Sequence, residues 1–113
     1  NHVENVEDNY TPLHEASLNG RTSVVELLID HGADIEAKTR TGFTPLLCAA
    51  QEGHLATARL LVTRGARTDA ANEYGDMPIH KAAQHNRLQV LEFLVTEAGV
   101  SVDVVSKYLI TPI

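Results

Sequence analysis

The sequence predicts an all-α array of stacked helix pairs joined by projecting finger loops, and three observations predict it. First, Thr11-Pro12-Leu13-His14-Glu15-Ala16 returns as Thr44-Pro45-Leu46-Leu47-Cys48-Ala49 and again as Met77-Pro78-Ile79-His80-Lys81-Ala82, each 33 positions after the last. Second, Gly20, Gly53 and Asn86 share one column, and Gly32, Gly65 and Gly99 share another. The third of these is displaced by the extra residue in Glu97-Ala98-Gly99. Third, Leu27-Leu28, Leu60-Leu61 and Phe93-Leu94 form an apolar column. A fixed period of this length marks one supersecondary unit repeated along the chain.

Each unit then reads in order. Thr11 and Thr44 fit helix N-caps, each followed by Pro at the first helical position, where no N–H is needed. Short first helices follow over 12–18, 45–52 and 78–85. Gly20, Gly53 and Asn86 suit a left-handed turn. Second helices run from about 22, 55 and 88 to near 31, 64 and 98, with Val24, Leu27 and Leu28, or Val90, Phe93 and Leu94, at three- and four-residue spacing. Gly32, Gly65 and Gly99 end them as C′ residues. Asp34-Ile35-Glu36-Ala37 and Thr41-Gly42 then fit an extended, hairpin-like finger. The chain divides into a partial finger at 1–9, repeats at 10–42, 43–75 and 76–109, and the start of a fourth at 110–113. A helix pair with one narrow apolar face cannot bury itself, so the units must stack. Neither end looks like a polar cap, and the array is expected to be an excerpt from a longer one.

Composition narrows the function classes. Of 113 residues, 43% are hydrophobic and 4% aromatic, so the core is built from Ala, Val, Leu and Ile. The net charge of −6 and the lack of a basic run argue against nucleic acid as a partner. A single cysteine, Cys48, excludes an internal disulfide and points to a reducing compartment, the cytoplasm or the nucleus. No apolar stretch is long enough to span a bilayer, so no membrane insertion is expected from this segment.

These residues resemble the ankyrin repeat family. The signature Thr-Pro-Leu-His-x-Ala stands intact at 11–16, Gly-His at 53–54 and Gly-Ala-Asp at 32–34. The resemblance implies a solenoid of L-shaped units, two antiparallel helices and a finger each, whose finger tips and first helices form a concave face that grips protein partners. It also implies a hydrogen-bond network through the signature Thr and His. Only the first repeat has both, because Leu47 replaces His in the second and Met77 replaces Thr in the third. The third repeat, lacking an N-cap, is expected to be locally weaker. Leu109 stands where the finger usually has Gly, and Asn9 is a milder substitute.

Chemistry is sparse. His14, His80 and His54 follow the repeat and read as structural. His31, His85 and His2 add no metal-binding spacing such as His-Glu-x-x-His. Cys48 has no visible base beside it and reads as a partly buried, inert thiol. No enzyme, cofactor or metal site is predicted. One feature exceeds structural need. Tyr10, Phe43, Asp76 and Ile110 align just past the finger tip, and Tyr74 and Tyr108 align two positions before Asp76 and Ile110. Aromatics in such places either pack finger on helix or serve a partner as hot spots. The candidate partner-binding set is Tyr10, Leu18, Asn19, Arg40, Phe43, Gln51, Glu52, Glu73, Tyr74, Asp76, Gln84, His85 and Tyr108, with a mildly basic, apolar-anchored protein or peptide as the expected partner. A second role is a regulatory or structural segment of a larger enzyme or channel, making contacts chiefly with neighbouring repeats and other parts of the same parent chain.

Overall fold

A computed structural model describes residues 9–101. Among the described residues, the chain forms six helices: α1 (Pro12–Leu18), α2 (Thr22–Asp30), α3 (Pro45–Glu52), α4 (Leu55–Thr63), α5 (Pro78–Gln84) and α6 (Leu88–Thr96). The expected fourth-repeat start, with Lys107, Tyr108, Leu109 and Ile110, lies outside the described residues. So does the partial finger before Asn9.

The caps explain where the first helices begin. The Thr11 and Thr44 hydroxyls accept from the backbone N–H groups of His14 and Leu47, and Pro follows each of them. Met77 offers no oxygen, and α5 starts without a side-chain cap at that N–H. The other half of the arrangement at Thr11 and His14 is kept, His80 Nδ1 accepting the Met77 N–H at 2.9 Å. The turns into the second helices are left-handed, with φ of 71° at Gly20, 77° at Gly53 and 59° at Asn86. Asn9, the Gly substitute at the finger tip, also stands at φ 59°.

Within each repeat the two helices pack together, and first helices stack on first helices and second on second. One buried cluster runs through all three pairs, including Leu13, Val25, Leu46, Leu61, Ile79 and Leu94. Ala16, Ala49 and Ala82 occupy the same column and are all buried. Helix separation follows the size of the side chains at the contact, so this small-residue column lets consecutive first helices approach closely.

Polar ties between repeats reinforce the stack. His14 is fully buried, and its Nδ1 accepts the Thr11 N–H at 3.0 Å. That contact fixes the tautomer, so Nε2–H donates to the carbonyls of Ala37, 2.9 Å away, and Phe43, 2.8 Å away. One imidazole therefore binds α1 to both sides of the first finger. Leu47 takes the equivalent place in the second repeat and is buried in the core, so no imidazole reaches from α3 to the second finger. A second tie lies at the start of each later second helix. His54 Nε2–H donates to the Leu18 carbonyl at 2.9 Å, and Arg87 Nε–H to the Gln51 carbonyl at 2.9 Å. Both satisfy carbonyls at the open end of the preceding first helix. The His54 ring also requires Gly20, because a Cβ there would stand 2.6 Å from Nδ1.

Two sequence expectations need correction. Their spacing puts Val24 and Leu27 on the apolar face with Leu28, yet they are 42% and 57% exposed. Their column mates Thr57, Val90 and Phe93 are buried, because each faces the repeat before it. Cys48 is more enclosed than a partly buried thiol, and burial first, then the Glu52 carboxylate, pushes its pKa up to about 12.

Burial holds the His14 pKa below its ordinary 6.5, opposed in part by the Phe43 and Ala37 carbonyls. The folded state thus prefers the neutral ring that the unfolded chain protonates near 6.5. This contribution is complete above pH 6.5 and lost as pH falls from there through the lower folded pKa. The urea midpoint is expected to be lower at pH 5.5 than at 7.5. In the folded chain, the His14 ring resonance is expected to titrate below 6.5.

Candidate functional site

The two fingers within the described residues close as tight turns. In the first, the Thr39 N–H donates to the Phe43 carbonyl at 3.0 Å, and the Gly42 N–H to the Thr39 carbonyl at 2.9 Å. The Thr39 hydroxyl accepts the Phe43 N–H at 3.1 Å. The second finger repeats this with Asn72, whose Oδ1 accepts the N–H groups of Tyr74 and Asp76 at 2.9 and 3.0 Å. A backbone bond joins the two fingers, Glu73 N–H to Thr41 carbonyl at 2.9 Å. Gly42, at φ 87°, makes room for it, since a Cβ would lie 3.0 Å from the Glu73 nitrogen.

Two aromatics, Tyr10 and Phe43, stand against first helices. Tyr10 stacks on His14, with centroids 5.7 Å apart and planes 20° from parallel. Burial, followed by a hydrogen bond from its hydroxyl to the Glu15 carboxylate, raises the Tyr10 pKa above the usual phenol value. Phe43 lies beneath the Lys81 ammonium of α5, 5.5 Å from the ring centroid. Both rings are half-buried, so packing on the neighbouring helix accounts for part of each. Tyr74 differs, at 65% exposure.

Between the fingers and the first helices lies a groove of about 340 Å³, lined by Tyr10, Leu18, Thr39, Arg40, Thr41, Phe43 and Cys48. Four of the predicted residues, Tyr10, Leu18, Arg40 and Phe43, are thereby brought together. Asn19, Gln51, Glu52, Glu73, Tyr74, Gln84 and His85 do not line it. Asn19 instead donates to Glu15 Oε2 at 2.9 Å, Gln51 to Glu52 at 3.2 Å, and Gln84 accepts from Lys81 at 3.1 Å. Asp76 is a correction. It is only 6% exposed and does not offer a carboxylate to the surface. Tyr108 lies outside the described residues. Thr39, Thr41 and Cys48 were missed as wall residues. Their only signal is position, two on the finger before Phe43 and one on the first helix behind it.

The groove is apolar with a few hydroxyls and one guanidinium at its edge. The Cys48 thiol is held protonated and is no nucleophile at neutral pH. Among the described residues, no three His, Cys, Asp or Glu side chains stand close enough to hold a metal ion. None of the described helices is long and apolar enough to cross a membrane. The arrangement suits recognition of an apolar side chain.

Gly42→Ala is expected to cost more stability than Gly32→Ala, although both glycines have positive φ. Left-handed strain of about 1–2 kcal/mol applies to each, but only at Gly42 does the new Cβ meet backbone, there being nothing within 4 Å at Gly32. Urea denaturation of the two variants measures the difference, and faster exchange of the Glu73 amide locates it.

Comparison with known proteins agrees with the geometry. A family profile for ankyrin repeats in three copies matches residues 37–106, more than half the chain, and a single ankyrin repeat profile matches residues 8–40. The chain is also similar to "Ankyrin repeat domain-containing protein 49" of Bos taurus, 61% identical over 33 residues, which are 29% of this chain and 14% of that protein. The matched part thus spans a small fraction of that relative. Ankyrin repeats are generally protein–protein interaction modules and are typically non-enzymatic. The repeat signature, the helix pairs in one register and the profile matches together show that the chain belongs to the ankyrin repeat family.

Proposed function

We propose that this array binds a protein or peptide partner on the face built from its fingers and first helices, with an apolar side chain of the partner entering the groove between Tyr10, Leu18 and Phe43. The observation that carries this reading is the groove itself: it is apolar-walled and bounded by Tyr10, stacked on His14, and by Phe43, whose finger is fixed by backbone hydrogen bonds. A preformed apolar pocket with few polar groups suits side-chain capture at low ordering cost. Tyr74, exposed on the second finger, extends the surface beyond the groove.

Charge contributes less than composition suggested. With Asp76 buried, Glu52 and Glu73 stand against Arg40 and Lys81, so the apolar anchor rather than a basic character defines the partner. The net charge of −6 supports a protein over a nucleic acid. The single, enclosed thiol supports a place in the cytoplasm or nucleus as part of the same proposal.

Peptides selected from a random library on this chain provide the probe. Phe43→Ala is expected to weaken their binding about thirtyfold, the loss of roughly 2 kcal/mol typical of an interface anchor. Tyr74→Ala is expected to weaken it less and to leave the urea midpoint unchanged, since that ring is exposed. Gln89→Ala on α6, away from the groove, is expected to leave binding intact. Undiminished binding by a Tyr10→Ala, Phe43→Ala, Tyr74→Ala triple variant with an unchanged helical spectrum would overturn the assignment.

A further inference from the structure

His14 does not line the groove, yet it holds both of the groove's aromatic walls. The Tyr10 ring stacks on the imidazole, with 5.7 Å between centroids. The Phe43 carbonyl accepts from Nε2–H at 2.8 Å, and so does the carbonyl of Ala37, on the finger that supplies Thr39 and Thr41, at 2.9 Å. Nδ1 accepts the N–H of Thr11, the residue that joins Tyr10 to α1, at 3.0 Å. The second finger has no such tie, because Leu47 stands at the equivalent position, and Tyr74 on that finger is exposed.

The arrangement needs the neutral ring. A proton on Nδ1 sets one N–H against another, that of Thr11, where an acceptor stood before. The cation keeps its Nε2 donation and has only the Thr11 hydroxyl, 2.9 Å away, to take the new proton. The backbone carrying Tyr10 is then released while Phe43 stays bound, and the two walls lose their fixed separation. Burial already holds the His14 pKa below 6.5, with the two carbonyls opposing it. The ionisable groups around the ring are otherwise engaged or exposed. On α1, Glu15 accepts the Tyr10 hydroxyl, and on α3 Cys48 stays protonated beside Glu52. On α2, Glu26 and Asp30 turn to Arg64, while Arg21 and His31 at its ends are exposed. In the finger, Asp34 and Glu36 accept backbone N–H groups, and Lys38 and Arg40 are exposed. Lys81 of α5, over the Phe43 ring, keeps its charge throughout the acid range.

We propose that His14 is the positioning residue of the groove and couples partner binding to one proton, the neutral ring holding Tyr10 and Phe43 in the binding arrangement and the charged ring releasing it. This rests on the groove being the partner site. A complex that needs the neutral ring binds best above the His14 pKa and weakens as pH falls through it. Linkage requires the converse, that the bound partner lowers that pKa.

Two measurements test the coupling under conditions where the helical spectrum is unchanged. In the unbound chain, nuclear Overhauser contacts between the Tyr10 and His14 rings are expected to fade as His14 titrates. A histidine-free peptide selected on this chain is expected to bind about threefold or more weakly at pH 5.0 than at 7.5, and to lower the His14 midpoint by about half a unit or more. His14→Gln keeps a donor for the carbonyls but takes up no proton, and it is expected to bind more weakly at pH 7.5 with that pH dependence gone. His14→Leu, carrying the residue of the second repeat in that column, is expected to lose the pH dependence likewise. His80→Gln, the same change in the third repeat, is expected to keep it. Ring contacts that persist through the titration, a pH dependence that survives His14→Gln, or a His14 midpoint unmoved by the peptide would overturn the proposal, even where Phe43→Ala weakens binding and the groove reading stands. Binding indifferent to Phe43→Ala would remove the groove reading, and the proposal with it.

Discussion

Each repeat is a pair of helices of seven to nine residues, too short to be stable in isolation and apolar on too narrow a face to enclose a core. Every other feature of the structure answers that constraint. The alanine column brings first helices close, the second helices share one cluster, and the buried His14 and Thr57 side chains reach across to the neighbouring repeat. His14 is the clearest case. Its imidazole is satisfied on one side by the helix it caps and on the other by two carbonyls of the finger that leads to the next repeat. Order in one repeat is therefore conditional on order in the next.

The same coupling builds the candidate site. Finger turns are fixed by Thr39 and Asn72, and the fingers are joined through Thr41 and Glu73. The groove walls are contributed by the fingers and by α1 and α3, so no single repeat contains it. Recognition by this face depends on the stacking that makes the chain fold at all. The exposed ion pairs across the second helices, Arg64 with Glu26 and Asp30 and Arg59 with Glu97, contribute little energy, but their alternating sign favours one register of neighbours.

Much of this was legible in the sequence because the signals are local. Threonine before proline, glycine or asparagine after a short helix, and apolar pairs at helical spacing each act within a few residues, and they place the helices closely. What failed to read depends on neighbours. Val24 and Val90 are identical residues in one column, yet one is exposed and the other buried, the second being packed into the core that runs between repeats. Asp76 looked like a finger-tip carboxylate in alignment with Tyr10 and Phe43, but its N–H is taken by Asn72 and its side chain is enclosed. Arg87 carried no sequence signal for the inter-repeat tie because it stands where His54 stands, with a different side chain reaching the same kind of carbonyl.

The central claim is that each repeat is held by its neighbours more than by itself, and native-state amide exchange tests it residue by residue. The middle repeat is covered on both sides, and 44–50 are buried throughout. The account predicts the slowest exchange in α3 and α4, with α1 and α2 faster despite the intact signature at 11–16. Protection that instead followed the signature, greatest in the first repeat and lower in the second, where Leu47 replaces histidine, would contradict it.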